Sequence, residues 1–361
     1  MFAPGPALSR RNFLNGLAAG GAGILLAGSR SKAQTPPAQP RVTRVINVHH
    51  HLTAPAYVKF LTENKVREFP NKSAAEGIED MDKAGINTAL CSIIGPGIWF
   101  GDLTATRRLA RECNDYAAKL VSDYPGRFGI FTMLPLPDIA GSLREIEYGF
   151  DTLKADGVYM FTNWGGKALY GDQYLGDPAL APIYEELNRR KAVVYTHPKD
   201  PACCHDSLPG VNGATIEYPM DTTRTIMSLL ANNTTTKYPD VKFIFSHAGG
   251  ATTGVVGRIA GASTTNLEDG GAMRTGAPAR SPRLVELQKF YYDTAGSTNP
   301  VTLGALRKMV PLSQIFFGTD FPFINSADQR RLLQQCGVFS ARELETIFSE
   351  NVGTLLPKYK A

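Results

Sequence analysis

The chain predicts an α/β fold, a single (β/α)8 barrel of the TIM type, and three observations carry that expectation. Eight apolar, strand-length runs alternate with longer amphipathic stretches from end to end, the pattern of a parallel sheet with helical crossovers. Several runs end on residues able to do chemistry, as in a fold whose active site lies at the C-terminal ends of its strands. No GxGxxG or Walker A loop follows the first run, which weighs against the runner-up, a doubly wound open sheet.

Taken in order, the expected strands are residues 42–49, 87–93, 127–134, 157–161, 192–197, 242–247, 289–294 and 314–319. Helical periodicity lies between them, over 104–124 and 142–154, and over 178–190, where Pro178 occupies a favoured helix start. Two connections rich in Gly, Pro, Thr and Asn, 198–219 after the fifth strand and 249–282 after the sixth, are expected to be long loops that shape a pocket. For 262–279 the composition fits disordered surface equally well.

With 361 residues, 43% hydrophobic and 20% charged, the chain has the composition of a globular protein with a large core. Ser9-Arg10-Arg11-Asn12-Phe13-Leu14 is a twin-arginine motif, and a small, apolar run over 17–28 follows it. That run is too short and glycine-rich for a spanning helix, and Ser31-Lys32-Ala33 offers a cleavage site. The expected organisation is a signal peptide at 1–33, a linker at 34–41 and a catalytic barrel domain at 42–361. The twin-arginine export machinery, which carries folded proteins, would deliver the mature protein to the periplasm or outside the cell. Residues 1–33 hold four basic and no acidic side chains, so the net charge of +5 falls to about +1 on cleavage. No basic patch points to nucleic acid.

Cys91, Cys113, Cys203, Cys204 and Cys336 form an odd set without CxxC spacing, so no disulfide framework is expected and most should be small buried hydrophobes. Cys203-Cys204-His205 reads as loop packing in preference to a vicinal redox pair or a second metal site, because adjacent side chains on a loop rarely converge.

Four of the six histidines close or follow apolar runs: His49 and His51 in VINVHHHLTAP, His197 in VVYTHP and His247 in FIFSHAGG. Asp320 does the same in IFFGTDFPF. Alternate strand residues share a face, so His49 and His51 can bind one ion while His50 points away. A lone HxH reads as easily as a structural pair. Five such residues at the ends of four separate runs read as a shared site, and three imidazoles with one carboxylate form a set that zinc accepts.

At these motifs the chain resembles the amidohydrolase-related family of metal-dependent hydrolases, in the branch that holds aminocarboxymuconate-semialdehyde, γ-resorcylate and 6-methylsalicylate decarboxylases. The resemblance runs from about Val42 to Leu356 and includes ARECNDYAAKLVSDYPGRFGIFTMLPLPD, EIEYGFDTLKADGV, YLGDPALAPIYEELNRRKAVVYTHP and EYPMDTTRTI. It implies one divalent metal ion, zinc with manganese as the alternative, held by His49, His51, His197 and Asp320, with His247 beside the ion. Met160-Phe161-Thr162-Asn163 offers no lysine for the carboxylated bridge of binuclear relatives. Asn47 stands where many relatives carry Asp, and is expected to support a ligating histidine.

The activity implied is non-oxidative decarboxylation of an aromatic or unsaturated acid such as 6-methylsalicylate or another 2-hydroxybenzoate, with His247 and Asp320 handling the proton. Hydrolysis of a lactone or amide at the same site is the alternative. Arg224, in a helix expected to be capped by Asp221, is a candidate anchor for the substrate carboxylate, or else a salt-bridge partner of Asp221 or Glu217. Trp164, Phe321 and Phe323 are candidates for an aromatic wall. The resemblance also implies a homo-oligomer, dimer or tetramer.

Overall fold

In the computed structural model of the chain, residues 44–66, 69–164, 173–204, 208–260 and 281–360 are described. The expected signal peptide and linker, the stretch 262–279 and His205 lie outside the described residues. Eight strands follow one another around a single sheet: β1 (Ile46–Leu52), β2 (Thr88–Ile93), β3 (Phe128–Met133), β4 (Gly157–Phe161), β5 (Val193–His197), β6 (Lys242–Phe245), β7 (Tyr291–Asp293) and β8 (Ile315–Phe316). Every neighbouring pair is parallel. Hydrogen bonds from Val48 N to Phe317 O and from His51 N to Phe321 O, both 2.9 Å, draw the first and last strands together. The chain therefore forms the expected barrel.

Strand alternation divides the apolar residues into two sets. Val48, Leu90, Phe131, Tyr159, Tyr195, Ile244 and Phe316 belong to one buried cluster, and Ala89, Val158, Val194 and Phe245 pack with helical residues in another. The chief crossover helices are α1 (Pro55–Glu63), α2 (Ala74–Ala84), α3 (Leu103–Asp123), α4 (Ile139–Glu147), α5 (Ala181–Arg189), α6 (Gly213–Ala231), α7 (Thr252–Ala260), α8 (Pro282–Leu287), α9 (Pro300–Met309) and α10 (Ser326–Gln335). Local chemistry sets their starts: Ser73 and Glu76 form a capping box on α2, and Asp102 accepts from Thr104 N and Ala105 N on α3. No helix among the described residues is long and apolar enough to cross a membrane.

Four expectations need correction. The first strand extends to Leu52, so His51 lies within it, and a register shift between Asn47 and His50 marks an irregularity just before the motif. The connection after β5 is shorter than 198–219, because α6 starts at Gly213 under an Asn212 cap and carries Pro219 inside it. Proline leaves a helical carbonyl unpaired but not its own: Pro219 O accepts from Ala251 N at 3.1 Å and Thr223 Oγ1 at 2.9 Å. Asp221 is consequently an interior residue of α6 and not its cap. Likewise α7 occupies part of 249–282.

Cys203 and Cys204 also depart from expectation. They form a vicinal disulfide, in a turn closed by Cys204 N donating to Pro201 O at 3.2 Å. Cys91 and Cys113 are buried free thiols, and Cys336 is half-buried.

Candidate active site

β1 sends His49 and His51 to one side and His50 to the other. His50 stacks on Phe321 with ring centroids 4.6 Å apart, and its Nε2 lies 3.2 Å from where a Cβ on Gly77 of α2 would stand. Inside the barrel, His49 Nε2 lies 3.1 Å from His51 Nε2 and 3.2 Å from Asp320 Oδ1. His51 Nε2 lies 3.0 Å from the same carboxylate oxygen. His197, at the end of β5, completes a group whose ligand atoms all fall within 4.8 Å of one another.

The opposite ring nitrogens are occupied. His49 Nδ1 donates to Asp293 Oδ2 at 3.0 Å, His51 Nδ1 to Ile93 O at 3.1 Å and His197 Nδ1 to Pro198 O at 2.7 Å. Those acceptors place a proton on each Nδ1 and turn each Nε2 inward. Three nitrogen lone pairs and a carboxylate oxygen then face one another, an arrangement that only a proton or a cation at the centre relieves. Metal bonds of about 2.0–2.2 Å put tetrahedral ligand atoms roughly 3.3 Å apart, close to the spacing here. The four residues thus fit a divalent ion.

Electrostatics point the same way. Burial works against charge on His49, but Asp293 and Asp320 outweigh it and hold the imidazole's pKa at about 9. Burial also works against ionised Asp320, yet His49 and His51 hold its carboxyl well below the usual range. His197 is pushed down by burial and by the neighbouring His51 and His49. Of the four groups, His49 is therefore the one whose protonated form its surroundings favour.

His247 stands next to this group, with Nε2 3.3 Å from His197 Nε2 and Nδ1 3.0 Å from Ala295 O. His247 and Asp320 both adopt left-handed backbone, with φ of 53° and 65°, a conformation that costs a side chain about 1–3 kcal/mol and concentrates at functional sites. Tertiary hydrogen bonds hold both: Asp293 Oδ1 accepts from His247 N and His49 O accepts from Asp320 N, each at 3.0 Å.

Asp293 is the residue that sequence reasoning missed. Fully buried at the end of β7, it accepts from His49, from Tyr195 Oη at 2.8 Å and from His247 N. It closes an apolar run as His247 and Asp320 do, and that signal was present in YYDTAG. The support expected of Asn47 falls to Asp293 because Asn47 faces the backbone: its Oδ1 accepts from His49 N at 2.9 Å and Thr319 N at 3.1 Å.

A pocket is lined by the loop after β2 (Pro96, Gly97, Ile98, Trp99), the ends of β3 and β4, and Lys199; none of the His–Asp residues is in this described lining. Phe161 on its wall pairs with His197 across the sheet. Gly97, at φ 94°, lets the loop approach the Phe161 ring, which a Cβ would meet at 2.8 Å. Trp164 lines this pocket, with Nε1 donating to Gln173 Oε1 at 3.0 Å. Phe323 is 57% exposed and meets His51 edge-on at 5.9 Å, so it sits at the rim.

Phe321 is placed elsewhere, packed on His50 on the outer side of β1. Arg224 is also absent from the described lining, because α6 carries it toward Glu217 Oε2 at 3.9 Å and Cys204 Sγ at 3.8 Å. Asp221, its other suggested partner, instead accepts from Thr162 Oγ1 and Asn163 Nδ2. The charged residue that the described lining does carry is Lys199.

An inward-facing His3Asp group at the strand ends of an eight-stranded barrel defines the class, and comparison with known proteins agrees with it. The amidohydrolase family profile matches residues 46–357. The chain belongs to that family. Decarboxylase yanB of Aspergillus niger is 33% identical over 341 residues, covering 87% of this chain and 88% of that protein. The 6-methylsalicylic acid decarboxylase of Penicillium expansum is 36% identical over 284 residues, covering 77% and 84%. A solved dihydroxybenzoic acid decarboxylase from Polaromonas sp. JS666, with bound manganese and the inhibitor 2-nitroresorcinol, superposes with a TM-score of 0.74 at 22% identity, covering 88% of this chain and 98% of that one. Within the family the chain falls in the decarboxylase branch, and it is a carboxy-lyase.

Proposed function

We propose that this protein removes the carboxyl group of a 2-hydroxybenzoate, of which 6-methylsalicylate is the model substrate, by metal-dependent non-oxidative decarboxylation. The observation that carries the reading is the fixed tautomer of three imidazoles, which turns His49, His51 and His197 Nε2 toward Asp320, on strands whose neighbours β3 and β4 end in a pocket lined by aromatic and aliphatic side chains. A divalent ion held by these four residues, zinc in this assignment and manganese as the alternative, would supply Lewis acidity and a template for the acid's oxygens.

The chain's own residues do the rest. Trp164, Phe161 and Ile98 enclose the ring and exclude water. His247, its Nδ1 tied to Ala295 O, keeps Nε2 for proton transfer, and Asp320 shares that duty. A proton goes to the ring carbon bearing the carboxylate, the carbon–carbon bond breaks, its electron pair restores the aromatic ring, and carbon dioxide leaves.

The test is mass spectrometry of products after the metal-loaded protein meets a panel of 2-hydroxybenzoates and aromatic lactones, with Asp320→Asn and His247→Ala as controls. Loss of carbon dioxide that requires both residues is expected. Addition of water to a lactone instead would overturn the reading in favour of a hydrolase.

The reading extends to the protein's setting: twin-arginine export through residues 9–14 to the periplasm or medium, and assembly as a homodimer or homotetramer. Cell fractionation with Arg10→Lys and Arg11→Lys tests the first, and light scattering of the mature protein the second.

A further inference from the structure

Tyr159 carries a hydroxyl that the fold does not use. It points inward from β4 and has no exposed side-chain surface, with its ring 6.1 Å from the stacked Tyr195 and 5.0 Å from Phe161. Neighbouring buried phenols are fully employed: Tyr195 Oη on β5 donates to Asp293, and Tyr57 Oη on α1 donates to Ile94 O at 2.9 Å while accepting from Gly97 N at 3.1 Å. Tyr159 Oη has no hydrogen-bond partner among the described residues. A buried hydroxyl left unpaired is destabilising, whereas a phenylalanine of the same shape avoids that cost.

Phenylalanines already occupy neighbouring interior positions, Phe131 on β3 and Phe161 two residues along β4. Nothing in the packing therefore calls for a phenol at 159. Its placement answers a different need, because Tyr159 lines the pocket, close enough to Asp320 to feel its charge. Burial raises its pKa, so the group is a neutral donor throughout the working range of a protein. Most of the lining around it is apolar, and Lys199 supplies positive charge on the same wall.

We propose that Tyr159 is a substrate-binding residue whose hydroxyl donates a hydrogen bond to an oxygen of the bound acid, either the ring hydroxyl or the carboxylate. The inference rests on the hydroxybenzoate reading above and adds the residue that recognises the acid's oxygens from the β4 side. It also gives the unpaired hydroxyl a reason: the ligand-free protein carries the cost, and the bound acid relieves it.

The test is Tyr159→Phe in the metal-loaded protein, titrated calorimetrically with 2-hydroxybenzoate and with benzoate, and melted without ligand. The variant should melt at the same temperature as the wild type or higher, since only an unpaired group is lost. Its affinity for 2-hydroxybenzoate should fall about tenfold, the value of one hydrogen bond to an anionic oxygen. An equal fall for benzoate identifies the carboxylate as the acceptor, and an unchanged benzoate affinity identifies the ring hydroxyl. Wild-type affinity of the variant for both acids would overturn the role of Tyr159 and leave the decarboxylase reading standing. A wild-type protein that binds neither acid would overturn both.

Discussion

The mouth of the barrel has two halves built on different principles. On the side of β1, β5, β6, β7 and β8, imidazoles are pinned by hydrogen bonds at their outer ends: Asp293 and backbone carbonyls hold the outer nitrogens of His49, His51, His197 and His247. On the side of β2, β3 and β4, loops and strand ends present Ile98, Trp99, Met133, Leu134 and Phe161, which act by shape and by excluding water. The first half can fix an ion and a proton; the second chooses what comes near them. Damage to the first should therefore abolish chemistry, and damage to the second should redirect it.

The largest effects should fall on the polar half and should separate ion from proton. His197→Ala is expected to lose both stoichiometric metal and activity, while His247→Ala keeps its metal and loses about 10²–10⁴-fold in kcat. Elemental analysis beside single-turnover kinetics checks the pair; metal loss in His247→Ala would place that imidazole among the ligands.

An intermediate effect is expected at Asp293. Asp293→Asn should weaken metal affinity about 10–100-fold, as measured by chelator competition, because His49 loses the carboxylate that orients it. The pH dependence adds a signature. Below a pKa of about 9 the metal-free chain holds a proton on His49 that an incoming cation must displace, so apparent affinity should rise about tenfold per pH unit from neutrality up to that value. Asp293→Asn removes a charge that raises this pKa, and the plateau should move to lower pH.

The smallest effect belongs to the apolar half. Ile98→Ala enlarges the pocket without touching a polar group, and should shift preference toward bulkier ring substituents by about tenfold in kcat/KM with metal content unchanged. If it changed metal content, the two halves would not be separable.

Much of the polar half was legible because strand periodicity and strand-end placement are local properties. HxH on β1 puts two rings on one face by geometry alone, and His197, His247 and Asp320 each follow a run of strand formers. Asp293 obeyed the same rule and was passed over, since an aspartate after two tyrosines reads as the end of a strand until His49 is seen against it. Arg224 illustrates the opposite error. Its charge suggested an anchor, but Asn212 and not Asp221 caps α6, and the resulting helix phase turns Arg224 toward Glu217 and Cys204.

The sequence by itself determined the eight βα units, and so the barrel, because alternating periods of two and 3.6 leave a parallel sheet few other ways to bury both faces. It also determined the identity of the inward-facing histidines and Asp320. Only the tertiary structure decided which acceptor fixes each imidazole, that Phe321 covers His50 and not the pocket, and that Lys199 and an unpaired Tyr159 hydroxyl reach its wall. Those relations join residues on different strands and loops, and distances between strands are set by how the sheet curls and closes, which no local pattern of residues contains.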